Sequence, residues 1–320
     1  MLNLGLGLVG LLVGSELAVR GSLGLARRWG WPDWLAGLLL LALGTSLPEL
    51  FVSVAAAPSH PLVALGTVFG SNVFNTCMVL GVVLLASRGL GLPLPSRRTP
   101  GTVATLIAAL GLWVLMALPV GGANLIPDEN HLEATQLPIW VGLLLLIAYA
   151  RVVQRALGHR VSNTEQPVTG GSRLAAILTV VGFALLAVSS NLFLDGALGL
   201  AERLGWEDGF TGYLIVAVGT STPELFTCLR AMKHGSAGAV YGNLLGSNAF
   251  NLLVVGGVSI VVAGGITVDG ATIQQAIINF AACLVMMWMW TFRGVGRPRI
   301  HSTLGAPLVI AYLLCAWFLQ

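Results

Sequence analysis

Long apolar runs are the feature that most constrains what this sequence can fold into. Ten stretches of about 20 mainly apolar residues follow one another, with short polar segments between them. A helix needs about 20 such residues to cross the hydrocarbon core of a bilayer. Only 9% of the residues are charged, against about a quarter in soluble domains. These observations predict an all-α integral membrane protein and leave no room for a soluble catalytic domain.

The apolar runs predict ten transmembrane helices. Their approximate limits are residues 2–20, 33–57, 61–87, 100–120, 136–158, 174–200, 208–231, 236–263, 271–292 and 302–320. The first run lacks the basic start of a signal peptide, and Glu16 interrupts its apolar residues. We therefore predict that it is a helix of the folded protein.

The basic residues are distributed unevenly between the predicted loops. Fifteen of the 16 Lys and Arg residues lie in or beside loops that lead from an odd-numbered to an even-numbered span, and Arg203 is the exception. Lys and Arg accumulate in cytoplasmic loops of membrane proteins. The distribution predicts that these loops are cytoplasmic and that both termini are extracytoplasmic.

The two halves of the sequence repeat each other. The segment "GLARRWGWPDWLAG" at 24–37 matches "GLAERLGWEDGFTG" at 199–212, and later segments match in the same order. We predict a first five-helix repeat at 1–158, a cytoplasmic linker at 159–172 and a second five-helix repeat at 173–320. Five is an odd number, so the second repeat enters the membrane from the opposite side. Inverted repeats of this kind place substrate sites near the bilayer midplane, on interrupted helices.

A proline and a glutamate lie inside one predicted span of each repeat, in "LGTSLPEL" at 43–50 and "VGTSTPEL" at 218–225. An ionisable residue within a membrane is costly and is functional by default. Pro48 has no N–H group, so the carbonyl of Gly44 loses its partner and the helix opens there. Irregular backbone at membrane depth is tolerated where it lines a cavity. The motif therefore predicts a carboxylate, hydroxyls and freed carbonyl oxygens around one cavity, in both copies.

A second motif follows the first in each repeat, in "GTVFGSNVFN" and "GNLLGSNAFN". Ser71 and Asn75 are four residues apart and share one face of a helix, and Ser247 and Asn251 repeat this spacing. The glycine before each serine removes side-chain bulk, so two helices can approach closely there. Each copy adds a hydroxyl and an amide oxygen to the predicted cavity.

The combined motifs predict an all-oxygen cation site with two carboxylates, Glu49 and Glu224. Hard cations such as Ca²⁺ take about six to eight oxygen ligands, whereas softer metals prefer imidazole or thiolate. Histidine and cysteine are missing from the motif positions. Two carboxylates neutralise one divalent ion. A transporter must also release the ion, so a second cation that competes for the same oxygens is the natural counter-substrate.

The paired Gly-Thr-Ser-x-Pro-Glu and Gly-Ser-Asn-x-x-Asn motifs resemble the two alpha-repeats of the cation/calcium antiporter superfamily. Within it the chain is similar to the prokaryotic sodium/calcium exchangers, and the likeness extends to both halves and to "GSE" at 14–16. The resemblance implies a secondary active antiporter of the plasma (prokaryotic inner) membrane, which exchanges cytoplasmic Ca²⁺ for external Na⁺ by alternating access. It also implies that the long first and sixth helices slide across the rest.

The resemblance further implies the ligands of the transported ions. Glu49 and Glu224 would be central, with side chains around them and two backbone carbonyls about one turn before the threonines. The surrounding side chains would be Thr45, Ser46, Ser71, Asn75, Thr220, Ser221, Ser247 and Asn251, and the carbonyls would be those of Ala42 and Ala217. The implied partners are Ca²⁺, Na⁺ and the lipid bilayer. We expect no cofactor, no nucleic acid and no protein partner.

One departure from the family pattern keeps other coupling ions open. Some exchangers carry Asp where this chain has Asn251. A Ca²⁺/cation antiporter that is coupled to H⁺ or depends on K⁺ is therefore the main alternative, and a passive cation channel is a weaker one. Motifs such as H-E-x-x-H and the P-loop do not occur, so we predict that the protein is not an enzyme.

Some of these residues also have structural explanations. Asn75 and Asn251 could hold helices together, because amides form interhelical hydrogen bonds in membranes. Ser46 and Ser221 could bond back to their own helix. Glu16 could pair with Arg20, four residues further along the same helix.

Overall fold

The computed structural model describes residues 2–87, 91–93, 135–158, 172–204, 217–268, 270–291 and 299–318. The predicted span at 100–120 lies outside these residues, as do the first residues of the span at 208–231 and all of the predicted linker except Ser172. The structure is helical throughout most of the described ranges, as the apolar runs predict.

Helices account for most of the described chain. Up to residue 158 they are α1 (Leu2–Arg28), α2 (Asp33–Ala36), α3 (Ala42–Thr45), α4 (Leu47–Ala56), α5 (Pro61–Val73), α6 (Leu80–Ala86) and α7 (Ile139–Gly158). From residue 172 they are α8 (Ser172–Leu204), α9 (Ala217–Lys233), α10 (Ala237–Phe250), α11 (Gly256–Val262), α12 (Gly270–Thr291) and α13 (Gly305–Phe318). Three π-helical segments connect some of them, at Gly37–Leu41, Phe74–Val79 and Asn251–Val255, and a 3₁₀ turn at Ser302–Leu304 precedes α13.

Several described helices are long and apolar enough to cross a bilayer. Within the described ranges there are four such helices by length and composition: Gly5–Arg28, Pro61–Ala86, Ile139–Gly158 and Ala237–Val262. A fifth is added if the bent pair Asp33–Thr45 and Leu47–Val54 is one span. Large apolar side chains also face outward, as lipid contact requires. The protein is therefore a multi-pass helical membrane protein, while the count of ten spans stays a prediction.

Helices α1 and α8 are longer than the predicted spans at 2–20 and 174–200. Helix α1 continues to Arg28 and has 27 residues, and α8 has 33 residues. These lengths correspond to about 40 Å and about 50 Å at 1.5 Å per residue, whereas the bilayer core is about 30 Å thick. The apolar composition predicted only the part that lipid can cover. The helical hydrogen bonds continue through Arg20 and beyond, because charged side chains are compatible with a helix.

Small residues allow α1 and α8 to pack closely along their length. A Cβ atom added to Gly182 would lie 2.8 Å from Cα of Ala18, and one added to Gly21 would lie 2.5 Å from the backbone nitrogen of Thr179. Contacts this short would force the two helices apart. Close backbone approach at small residues is a common way for helices to associate in membranes.

Two short antiparallel sheets join connecting segments that are far apart in the sequence. Strand β1 (Leu92–Pro93) pairs with β4 (Arg299–Ile300), and β2 (Thr135–Leu137) pairs with β3 (Ile266–Val268). The sequence analysis did not predict these short strands, which add to the helical fold only in the connections. Their backbone groups have no helical partners, and pairing between strands satisfies them. The pairs also agree with the predicted sidedness, because each one joins two loops that were assigned to the same side.

Helix α10 lies in the centre of the described structure, and its residues from Ala239 to Phe250 are buried. It packs against the segment that leads to the first motif. A Cβ atom added to Gly242 would lie 2.9 Å from Cα of Gly37, and one added to Gly246 would lie 2.6 Å from Cβ of Ala42. The predicted close approach at the second motif is therefore present at Gly246.

Candidate cation-binding site

The helix that carries the first glutamate is interrupted one residue after Thr45. Ser46 has φ −91° and ψ 9°, values outside the helical range, and separates α3 from α4. The helical segments on either side are bent by 41°. Pro48 occupies the first turn of α4, where its missing N–H removes no helical hydrogen bond. The predicted opening of this span is confirmed, and it lies at Ser46.

The second copy does not open in the same way, so this part of the prediction is wrong. Helix α9 runs from Ala217 to Lys233 without interruption and has Pro223 inside it. Thr222 occupies the position that Leu47 has in the first copy. Its hydroxyl donates a hydrogen bond to the carbonyl oxygen of Val218, one turn earlier. Leucine offers no such donor, so the two copies differ in this local hydrogen bond.

The two glutamates are held by serines of the opposite copy. The Oγ of Ser46 donates to Oε1 of Glu224 at 2.9 Å, and the Oγ of Ser221 donates to Oε1 of Glu49 at 2.9 Å. All four residues are fully buried. The serines therefore bond across the molecule and not back to their own helices. These bonds bring the two proline-glutamate motifs together at one site.

Several oxygens of the predicted ligands have no hydrogen-bond partner among the described residues. They are Oε2 of Glu49, Oε2 of Glu224, Oγ of Ser71, Oδ1 of Asn75 and Oδ1 of Asn251. All five side chains are 0% exposed, and a buried polar atom without a partner costs about 1–3 kcal/mol. A cation in contact with several of these oxygens would compensate them at once. Because the donor atoms are oxygens, the set suits a hard cation.

The remaining predicted ligands lie on helices α3, α9 and α10. The Thr45 hydroxyl donates to the carbonyl of Leu41 at 3.0 Å, and Ser247 donates to Oε1 of Glu224 at 3.3 Å. The carbonyl of Ala42 accepts from the backbone N–H of Ser46 at 3.1 Å. Thr220 is 2% exposed, and Ala217 is the first residue of α9.

Within the described part of the chain, no cluster of three or more His, Cys, Asp or Glu could hold a metal. Any cation here would therefore depend on hydroxyl and amide oxygens as well as the two carboxylates.

Two asparagines that the sequence analysis did not select connect the copies of the second motif. Asn75 donates through Nδ2 to Oδ1 of Asn248 at 3.1 Å, and Asn72 donates through Nδ2 to the carbonyl oxygen of Asn248 at 3.3 Å. The interhelical hydrogen bond considered for Asn75 is therefore present, and it uses only the nitrogen of the amide. The repetition of the Gly-Ser-Asn triplet in both halves was the signal that could have identified Asn72 and Asn248.

A local change of helix type accompanies the last asparagine of each second motif. Asn75 is the second residue of the π-helical segment Phe74–Val79, and Asn251 is the first residue of Asn251–Val255. Single π turns inside α-helices are frequent at functional sites. They add a residue to one turn and so change the direction in which the following side chains point. The 3.6-residue periodicity of the sequence does not reveal them.

Glu16 lies apart from these buried oxygens. It forms the ion pair with Arg20 that the sequence suggested. Its Oε1 also lies 3.1 Å from Nε2 of His234, and its Oε2 lies 3.4 Å from Nη1 of Arg230. Glu16 therefore connects α1 to the end of α9, in addition to its pair within α1.

These features define a class of protein: a helical membrane protein with two buried carboxylates inside a set of hydroxyl and amide oxygens. The profile of the family described as "Sodium/calcium exchanger protein" matches residues 1–156 and 174–320. The chain belongs to this family. Membership supports antiport of cations that include Ca²⁺ across a membrane, and the relatives with functional names are antiporters and exchangers.

Curated relatives and solved structures resemble the chain over most of its length. It is 29% identical over 317 residues to the putative antiporter CaxA of Alkalimonas amylolytica, with 96% of this chain and 94% of the relative covered. It is 27% identical over 282 residues to the sodium/calcium exchanger MaX1 of Methanosarcina acetivorans, with 79% and 80% covered. A structure of the sodium-calcium exchanger NCX_Mj superimposes with a TM-score of 0.81 at 22% identity and covers 99% of this chain and 98% of that one. The last match shows a shared fold.

Proposed function

We propose that this protein is a secondary active antiporter that exchanges Ca²⁺ for Na⁺ by alternating access. The reciprocal pair of bonds between Ser46 and Glu224 and between Ser221 and Glu49 carries the proposal. These bonds occupy one oxygen of each carboxylate and leave the other without a partner among the described residues. Two buried carboxylates, each with a free oxygen, form a site that a divalent cation can neutralise.

The proposed ligands are the two glutamates and the polar groups around them. Ca²⁺ takes about six to eight oxygen ligands in flexible geometry, and a competing Na⁺ would use the same kind of oxygen. The ligand set that we propose is Glu49, Glu224, Thr45, Ser46, Ser71, Asn75, Thr220, Ser221, Ser247 and Asn251, with the carbonyls of Ala42 and Ala217. The complete burial of Glu49 and Glu224 within a membrane protein supports a site near the midplane.

The transport step that we propose is a movement of α1 and α8 relative to the remaining helices. The close contact at Gly182 and Gly21 makes these two helices suitable to move as one unit. This step belongs to a ten-helix arrangement with inverted repeats at 1–158 and 173–320. In that arrangement both termini are extracytoplasmic and the membrane is the plasma membrane.

A second candidate function is a Ca²⁺/cation antiporter that couples to H⁺ or requires K⁺. Asn251 favours it, because the amide leaves this site with two carboxylates where some exchangers have three. Both Oδ1 and Nδ2 of Asn251 lack a hydrogen-bond partner within the described structure. A site with less negative charge would accommodate a different number or kind of counter-ion. A passive cation channel would use the same oxygens without coupling.

Uptake of radiolabelled Ca²⁺ into proteoliposomes tests these alternatives. The vesicles contain Na⁺, K⁺ or neither ion, or carry a proton gradient, and the Na⁺-loaded vesicles are assayed with and without K⁺. The initial rate of uptake is measured in each case. We expect uptake that requires internal Na⁺ in the wild type and is lost in Glu224→Gln. Glu165→Gln is the matched control, because it makes the same chemical change in the predicted linker, outside the proposed ligand set and the proposed moving helices, and should retain Na⁺-dependent uptake.

Other outcomes would replace the proposal. Uptake that a proton gradient drives without Na⁺ would identify an H⁺-coupled antiporter, and uptake that needs K⁺ in addition to Na⁺ would identify a K⁺-dependent one. Ca²⁺ flux in the wild type that depends on no gradient of Na⁺, K⁺ or H⁺ would identify a channel, provided that Glu224→Gln still abolishes the flux. Full Na⁺-dependent uptake in Glu224→Gln would contradict the proposed site.

A further inference from the structure

A chain of buried hydrogen bonds connects Asn75 to a methionine on another helix. Nδ2 of Asn75 donates to Oδ1 of Asn248 at 3.1 Å, and Nδ2 of Asn248 lies 3.6 Å from Sδ of Met286 in α12. Nδ2 of Asn248 also donates to Oγ1 of Thr76 at 3.0 Å. These side chains are buried, so water does not compete for their hydrogen bonds.

The thioether of Met286 determines which groups donate and which accept in this series of hydrogen bonds. A thioether carries no hydrogen and can only accept a hydrogen bond, whereas the hydroxyl of Thr76 can donate or accept. Met286 therefore requires the NH₂ group of Asn248 on its side. The oxygen of Asn248 then faces Asn75, and only the NH₂ group of Asn75 can satisfy it.

The orientation of Asn75 follows from this order of donors and acceptors. Its NH₂ group is directed to Asn248, so its Oδ1 is on the other side of the amide. Oδ1 has no hydrogen-bond partner among the described residues and is buried. The opposite orientation would present the NH₂ group, a hydrogen-bond donor with partial positive charge, in place of the oxygen.

We infer that Asn248 and Met286 are positioning residues, which orient the Asn75 amide so that its oxygen is available to the transported cation. The inference rests on the proposed function, because it assigns these residues to the proposed cation site. Neither residue is itself a proposed ligand. Their effect on the cation passes through the orientation of Asn75.

The other copy lacks a corresponding chain within the described structure. Asn72, the counterpart of Asn248, donates its Nδ2 to the backbone carbonyl of Asn248. Asn251, the counterpart of Asn75, has no described partner for either Oδ1 or Nδ2. Nothing described therefore orients the Asn251 amide, and the two repeats differ in how firmly they present an amide oxygen.

A double-substitution experiment tests the inference. Equilibrium binding of radiolabelled Ca²⁺ to the purified full-length protein in detergent is measured for Met286→Leu and Asn248→Ala, each alone and combined with Asn75→Asp. Leucine has a similar volume to methionine but no acceptor, which keeps the packing change small. A carboxylate at position 75 presents an oxygen in either orientation, so it no longer needs to be positioned.

We expect a dissociation constant for Ca²⁺ several-fold higher in Met286→Leu and about tenfold higher in Asn248→Ala, in line with the loss of one buried hydrogen bond. In the Asn75→Asp background, neither substitution should weaken Ca²⁺ binding further. Met287→Leu is the matched control at the next residue and should leave binding unchanged. Thermal unfolding of each variant verifies that it is folded.

Two outcomes would overturn the inference, and they are distinguishable from failure of the proposed function. Equal losses with and without Asn75→Asp would show that Asn248 and Met286 act on the structure in general. Unchanged binding in both single variants would show that they do not orient a ligand. If the wild type itself neither binds Ca²⁺ nor takes it up against Na⁺, the proposed function fails, and this inference fails with it.

Discussion

Ser46 donates a hydrogen bond of 2.9 Å to Glu224, which lies 178 residues further along the chain. Ser221 makes the corresponding bond to Glu49 at the same distance, 172 residues back. In each case the donor and the acceptor belong to different copies of the same motif. The arrangement of both carboxylates therefore depends on the two repeats being packed against each other.

These serine bonds lead to a graded prediction for Ca²⁺ affinity. Ser221→Ala removes a donor 2.9 Å from Glu49, whereas Ser247→Ala removes one 3.3 Å from Glu224, where Ser46 still donates. A hydrogen bond to a charged group contributes about 1.5–3 kcal/mol, so we expect Ser221→Ala to weaken Ca²⁺ binding at least about tenfold. Ser247→Ala should have a smaller effect. Equilibrium Ca²⁺ binding measures both, and a larger loss in Ser247→Ala would contradict the geometry.

The close packing around α10 predicts a loss of stability in Gly242→Ala. The added Cβ would lie 2.7 Å from the backbone nitrogen of Leu38 and 2.9 Å from Cα of Gly37. Overpacking of this kind costs about 1–3 kcal/mol. Gly5→Ala is the control, because it is also a helical glycine but has no atom within 4 Å of the added Cβ. Unfolding in detergent should show a lower midpoint for Gly242→Ala only, and equal midpoints would refute the prediction.

The interface between α1 and α8 predicts an effect on transport rate. An added Cβ at Gly182 would lie 2.8 Å from Cα of Ala18, whereas one at Gly199, further along α8, meets no described atom within 4 Å. We expect Gly182→Ala to slow Ca²⁺ uptake while the Ca²⁺ concentration for half-maximal rate stays the same, because the proposed ligands are untouched. Gly199→Ala should behave as the wild type. A change in half-maximal concentration with an unchanged maximal rate would argue against a moving α1–α8 unit.

The hydrogen bond of Thr222 predicts a difference between two threonines of α9. Thr222→Val removes the donor to Val218 in the turn before Pro223, and we expect a loss of about 1 kcal/mol in the free energy of unfolding. The Thr227 hydroxyl is buried and has no partner among the described residues, so Thr227→Val should be neutral or stabilising. Unfolding of the two variants side by side checks this. Equal destabilisation would mean that the hydroxyl of Thr222 does not support the helix.

The duplicated polar motifs could be recognised in the sequence for a simple physical reason. Carboxylates, hydroxyls and amides are costly inside a membrane, so Glu49, Glu224, Asn75 and Asn251 stand out from their apolar surroundings. A proline has a local effect on its own helix, which made the interruption near Pro48 predictable. Sequence periodicity did not reveal the π-helical segments that contain Asn75 and Asn251, because helices that are apolar on most faces show too little periodicity for one extra residue in a turn to be recognised.

The same local motif had different results in the two copies. The helix opens at Ser46 but continues through Pro223, where Thr222 supplies a hydroxyl that Leu47 cannot. The close resemblance of the motifs concealed this difference. Backbone geometry depends on a few hydrogen bonds, and a single side chain can change their number.

The sequence by itself determined the membrane-spanning class, the two copies of the motifs and the oxygen-bearing side chains within them, because each of these depends on composition and local spacing. Only the tertiary structure decided that Ser46 donates a hydrogen bond to Glu224 and that Asn75 donates one to Asn248. Hydrogen bonds act over about 3 Å, and which groups come that close depends on how distant helices pack. That packing is set by many weak contacts distributed over both repeats, and a short motif does not encode it.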